Sequence, residues 1–72
     1  MVTVYGTPDC IKCERTKTNL DRANVAFEYK DISTDSLAYA RVKELGYQGL
    51  PVIEANGTHW SGYDRDKLNS LK

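Results

Sequence analysis

The chain has 72 residues, with ten basic and ten acidic side chains and a formal net charge of zero. A chain this short makes one domain, residues 1–72, which buries little more than half of its unfolded surface and needs a compact core. Balanced charge excludes a nucleic-acid surface built on surplus Lys and Arg, and no stretch approaches the roughly 20 apolar residues of a membrane span.

Met1 to Gly6 runs straight into a strand-like pattern without a basic segment, a long apolar run or a cleavage site, so it does not read as a signal peptide. The expected location is the cytoplasm, where thiols are kept reduced and disulfides are transient and catalytic. Val2 to Tyr5 is β-branched and aromatic and is stopped by Gly6, Thr7, Pro8 and Asp9, which predicts a short first strand. From Cys10 to about Ala23 there is no Gly or Pro, and Cys13, Thr16, Leu20 and Ala23 recur at helical spacing on one inward face. Lys12, Arg15 and Asp21 fall on the solvent side. Ala26 to Ile32, with Phe27 and Tyr29, is the second strand.

Ser33, Thr34 and Asp35 offer N-caps for a second helix that Gly46 stops. Its inward face reads as Leu37, Ala38, Val42 and Leu45, with Arg41 intruding on the edge. Pro51 opens a third strand, Val52 to Ala55, and Asn56-Gly57 is a two-residue hairpin turn returning the chain through Thr58 to Ser61. Asp64 then caps a short last helix with Leu68 and Leu71 inward. The order β-α-β-α-β-β-α begins with a right-handed parallel crossover and ends with an antiparallel hairpin. It predicts an α/β protein of thioredoxin/glutaredoxin-like fold, a four-stranded mixed sheet flanked by helices.

The segment Thr7-Pro8-Asp9-Cys10-Ile11-Lys12-Cys13 carries the chemistry. Three positions of separation at a helix start bring both sulfurs within reach of a disulfide. The first lies where unpaired backbone N–H groups and the helix dipole favour an anion, an environment that lowers a cysteine pKa from about 8.5 into the range of roughly 3.5–7.5. Cys10 is the expected exposed nucleophile. Cys13, one turn deeper on the inward face, is the expected resolving thiol, and Lys12 adds to thiolate stabilisation. Ile11 points away from the core and offers an apolar contact to a protein partner.

Three plainer readings compete. A zinc site needs two further ligands, and besides carboxylates the chain has only His59, so no metal is expected. A structural staple between cysteines three apart removes little chain entropy. Two inert buried thiols fit poorly with Pro8, Asp9 and Lys12 around them. A C-x-x-C between the first strand and first helix of this pattern therefore reads as a redox site.

Leu50-Pro51 is the second element. Proline cannot donate to a sheet ladder and belongs at a strand start. In the thioredoxin arrangement this proline is cis and lies beside the cysteines, and the neighbouring backbone pairs with the substrate chain as an added strand; an ordinary trans proline is the alternative. Trp60 reads equally as a core or edge aromatic and as a docking residue, and His59 as an exposed side chain near the hairpin.

Cys10-Ile11-Lys12-Cys13, Gly49-Leu50-Pro51-Val52 and His59-Trp60-Ser61-Gly62 resemble the glutaredoxin-like redoxins called NrdH, over essentially the whole chain. That family carries Trp-Ser-Gly-Phe-Arg-Pro after the hairpin; Trp60, Ser61 and Gly62 match it, and Tyr63, Asp64 and Arg65 depart from it. The resemblance implies a monomeric electron donor to class Ib ribonucleotide reductase, recharged by thioredoxin reductase and using no bound cofactor. Asp64 points also to glutathione, because glutathione-using glutaredoxins commonly hold the tripeptide's amino group with an Asp near this place. The alternatives are thus a glutathione-dependent glutaredoxin and, in another class, a non-catalytic redox-sensing or metal-binding adaptor.

Overall fold

Side-chain alternation along the strands sorts the core into two halves. In the computed structural model, which describes residues 1–72, the elements are β1 (Val2–Gly6), α1 (Ile11–Arg22), β2 (Phe27–Asp31), α2 (Ser36–Leu45), β3 (Val52–Ala55), β4 (Thr58–Ser61) and α3 (Arg65–Asn69). The four strands lie in the order β2-β1-β3-β4. β1 and β2 are parallel, while β1–β3 and β3–β4 are antiparallel. This is the thioredoxin/glutaredoxin fold expected from the element order. No helix is long and apolar enough to cross a membrane.

One face of the sheet presents Val2, Val4, Ile53, Ala55 and Trp60, which pack with Leu20 of α1 and Leu68 of α3. The opposite face presents Tyr5 and Val52 to Ala38 and Val42 of α2. Each fully buried Leu, Ile or Val contributes roughly 1.5–3 kcal/mol. With five residues, α3 is far too short to be stable alone; its one buried residue, Leu68, docks it. Local signals set the boundaries. Asp35 accepts from the N–H groups of Leu37 and Ala38 at the start of α2, and Gly46 ends that helix in the left-handed conformation, φ 85°. Asn56 and Gly57 both take positive φ, as a tight hairpin turn demands.

Two expectations for α2 need correction. Leu37 is 83% exposed instead of facing the core. The helix is rolled so that Ala38, Val42 and Leu45 meet the sheet, and the stripe holding Leu37 and Arg41 falls on the flank. Arg41 is no intruder there: its guanidinium pairs with the Glu54 carboxylate of β3, and Glu54 also accepts from the Tyr5 hydroxyl at 2.9 Å. Arg41 is further paired with Glu44 in the next turn of the helix.

This cluster makes stability depend on pH. The hydrogen bonds from Arg41, before those from Tyr5, hold the Glu54 carboxyl below its ordinary value, whereas burial and the bond to Glu54 push the Tyr5 phenol up to about 12. A depressed carboxyl contributes stability above its unfolded pKa, and that stability is lost as pH falls through the folded value. A raised phenol contributes below its unfolded pKa of 10.0 and loses its share as pH rises towards about 12. Urea unfolding of the native chain should therefore weaken below pH 4.5, the ordinary carboxyl value, and Glu54→Gln should flatten that acid limb. An acid limb unchanged in Glu54→Gln would remove the cluster from the account.

Candidate active site

Cys10 is the N-cap of α1: its backbone is extended, and its Sγ accepts the Cys13 backbone N–H at 3.1 Å. Sulfur thus stands where a helix usually places a Ser or Asp oxygen, directed at the unpaired N–H groups of the first turn. The sulfurs of Cys10 and Cys13 are joined in a disulfide, with Cα atoms 5.1 Å apart. Cys10 is half-buried and Cys13 fully buried. Ile11, 74% exposed, and Lys12 form the outer surface between the cysteines. One sulfur is open to attack and the other is sheltered beneath it, which is the asymmetry a two-step thiol exchange requires.

Beneath Cys13 lies Gly6, the last residue of β1. A Cβ on Gly6 would meet the Cys13 Sγ at 2.6 Å and would also collide with the Tyr29 hydroxyl. That hydroxyl donates to the Thr7 carbonyl at 3.1 Å, and the Lys17 ammonium lies 4.2 Å from the ring centroid. Burial pushes the Tyr29 phenol above its ordinary value, with Lys17 pulling the other way, so it stays a donor. Gly6 and Tyr29 escape sequence reading, where Gly6 marks a strand end and Tyr29 a large strand residue. Only the parallel pairing of β1 with β2 brings them under the cysteines.

The Leu50–Pro51 bond is cis, and Pro51 is buried. The β1–β3 ladder ends with Tyr5 opposite Val52, so Pro51 and Gly6 leave the sheet at the same end. Ser61, the last residue of β4, and Gly62 just after it pin this loop. Gly62 donates its N–H to the Pro51 carbonyl at 2.7 Å, and the Ser61 hydroxyl donates to the Gly49 carbonyl at 2.9 Å. Tyr47 braces it further, with its hydroxyl 2.7 Å from His59 Nδ1. Leu50, half-buried against the α2 side of the core, makes no main-chain hydrogen bond through its own N–H or carbonyl. It therefore presents an unpaired strand-like edge between two fixed residues.

The Trp60-Ser61-Gly62 triplet, the stretch after the hairpin that carries the resemblance, divides between the core and the Gly49–Pro51 loop. Trp60 is 7% exposed and packed in the α1–α3 half of the core, because it lies on the inward side of β4. Of its two readings, core aromatic and docking residue, its placement is that of a core aromatic. Ser61 and Gly62 hold the Gly49–Pro51 loop. Asp64 is half-buried, and its carboxylate accepts the Lys67 backbone N–H at 3.0 Å, capping α3. No group of three or more His, Cys, Asp or Glu side chains is gathered in a metal-holding arrangement.

A cysteine pair on a helix N-terminus, with a cis-proline loop at the same end of the sheet, is an arrangement suited to disulfide exchange, and the glutaredoxin family profile matches residues 2–60. This chain belongs to the glutaredoxin family. Within it, the chain is 30% identical over 70 residues to the glutaredoxin-like protein NrdH of Escherichia coli strain K12, an alignment covering 97% of this chain and 86% of that protein. It is 31% identical over 71 residues to the NrdH protein of Lactococcus lactis, covering 99% of each. The solved structure of E. coli NrdH-redoxin, described as having a thioredoxin-like activity profile, superposes with a TM-score of 0.93 at 30% identity, covering 99% of this chain and 93% of that one. The chain is an NrdH-like glutaredoxin oxidoreductase whose redox groups are Cys10 and Cys13.

Proposed function

We propose that this protein is a cytoplasmic, monomeric electron carrier that takes electrons from thioredoxin reductase and delivers them to class Ib ribonucleotide reductase. The Cys10 thiolate attacks the partner's disulfide, forming a mixed disulfide and releasing one partner sulfur as a thiolate. Cys13 then loses its proton and attacks Cys10 Sγ, releasing the second partner sulfur and closing the Cys10–Cys13 disulfide. Two electrons have passed to the partner, and thioredoxin reductase returns two from NADPH. The free main-chain groups of Leu50, ahead of Pro51, pair with the partner's chain as an added strand, while Ile11 and Lys12 meet its surface.

The choice of reductant rests on Asp64. Its carboxylate is engaged in capping α3, and an exposed charge–charge contact adds only about 0–1 kcal/mol, too little to hold a tripeptide without further donors. The E. coli relative's thioredoxin-like profile supports the same choice. With NADPH and thioredoxin reductase the disulfide is expected to be reduced efficiently, and with millimolar glutathione poorly. Asp64→Ala is expected to lower stability by about 0.5–2 kcal/mol through the lost cap, with reductase-driven turnover retained. Fast glutathione turnover that disappears in Asp64→Ala would make this chain a glutathione-dependent glutaredoxin instead. The same assay, extended to reduced protein with a class Ib reductase, should yield deoxyribonucleotides.

A further inference from the structure

On the side of α1 next to α3, two cavities of about 360 and 180 Å³ meet at Asn19 and Arg22, which line both. The first starts at Ile11, between the cysteines, and has Arg15 in its wall; the second adds Arg65 at the start of α3. None of these three guanidiniums takes part in an ion pair or a side-chain hydrogen bond, although other cations of the chain do. Glu14 is the only acidic side chain lining either cavity, and Lys17 neutralises it at 2.8 Å. In a chain of zero net charge this strip is a local positive excess.

We propose that this groove docks an acidic, extended segment of the partner protein, continuous with the disulfide that the partner presents to Cys10. The proposal rests on the thiol-exchange reading above and adds the chemistry by which partners are chosen. Ile11 to Arg22 spans roughly 16 Å along the helix, the length of about five extended residues. A single small anion would occupy one guanidinium and leave the others unopposed, whereas a chain leaving Cys10 passes the exposed Ile11 and then meets Arg15, Asn19 and Arg22 in turn. Such a strip steers encounter and sets selectivity through charge complementarity, and it is screened by salt.

The test uses the full chain and three disulfides. Two are bridged peptides of identical core, flanked on both sides by glutamates in one and lysines in the other; the third is uncharged bis(2-hydroxyethyl) disulfide. The readout is the ratio of kcat/KM for the two peptides, which a general change in thiol reactivity does not move. At low ionic strength the acidic peptide is expected to be preferred by about 10-fold, with the difference in KM, and the preference should approach unity near about 0.5 M salt as the screening length shrinks. The double variant Arg15→Glu, Arg65→Glu should reverse it. Both new carboxylates lie in the N-terminal halves of their helices, where negative charge is tolerated. Equal rates on the two peptides, or a preference that the double variant keeps, would overturn the proposal alone. No reduction of any of the three, the uncharged disulfide included, would overturn the thiol-exchange reading and the docking proposal with it.

Discussion

Cys10→Ser is expected to reduce disulfide reduction to the uncatalysed rate and to leave no covalent adduct with substrate, whereas Cys13→Ser is expected to capture substrate as a stable mixed disulfide. The two sulfurs differ in access and in hydrogen bonding. Cys10 Sγ accepts the Cys13 N–H at 3.1 Å at the mouth of α1, so a thiolate there keeps a donor and faces the helix N-terminus. A serine hydroxyl at position 10 is not ionised at neutral pH and forms no such bond to sulfur. Cys13 is fully buried, so no incoming protein disulfide reaches its sulfur, and its one accessible target is Cys10 in the mixed disulfide. Removing it leaves the first step intact and blocks the second. Insulin reduction gives the rates, and non-reducing electrophoresis with mass spectrometry gives the adducts. A Cys10 variant that traps substrate, with a Cys13 variant that cycles, would exchange the two roles.

The second large effect is expected at Gly6. Its backbone is not in the left-handed region, since the positive-φ glycines are Gly46, Gly57 and Gly62, so alanine is conformationally acceptable there. The obstacle is space: a Cβ would lie 2.6 Å from Cys13 Sγ and 3.1 Å from Cys13 Cβ, and it would also strike the Tyr29 hydroxyl. None of these atoms is the free end of a mobile surface chain. Cys13 is held by α1 and the disulfide, and Tyr29 by its bond to Thr7. Overpacking of this kind costs about 1–3 kcal/mol, which outweighs the roughly 0.4–1 kcal/mol that alanine contributes by restricting the unfolded chain. Gly6→Ala should therefore lower the urea midpoint and, by displacing Cys13, slow closure of the Cys10–Cys13 disulfide. Gly49→Ala is the milder case, because its Cβ would approach only the Ser61 hydroxyl oxygen, at 3.3 Å, and its effect is confined to the bond that this hydroxyl makes to the Gly49 carbonyl. Wild-type stability and closure rate in Gly6→Ala would show that the site under Cys13 is roomier than its geometry implies.

What the sequence by itself determined was everything governed by neighbours a few residues apart. Cys13, Thr16 and Leu20 recur with helical period, and all three are buried on one side of α1. Asp35 and Asp64 cap the helices they precede, and Asn56-Gly57 turns the hairpin. Cys10 and Cys13 stand at a helix start because a β-strand, a proline-containing loop and an uninterrupted helical pattern follow one another there. Each of these depends on backbone sterics or hydrogen bonds within about one turn, and such signals survive in a linear string.

The tertiary structure decided what depends on register and on the roll of each helix. Trp60 is in the core because β4 turns that residue, and not His59 or Ser61, towards α1 and α3. Ser61 and Gly62 hold the Gly49–Pro51 loop because the β3–β4 pairing brings them to it. Arg41 reaches Glu54, and Leu37 is left outside, because α2 settles on its small Ala38 and on Val42. Tyr29 stands under Cys13 because β2 runs parallel to β1, on which Gly6 leaves the space. In each case the partners are far apart in sequence, and shifting a strand by one residue would turn the side chain to the opposite face; local pattern does not encode that choice, and packing makes it.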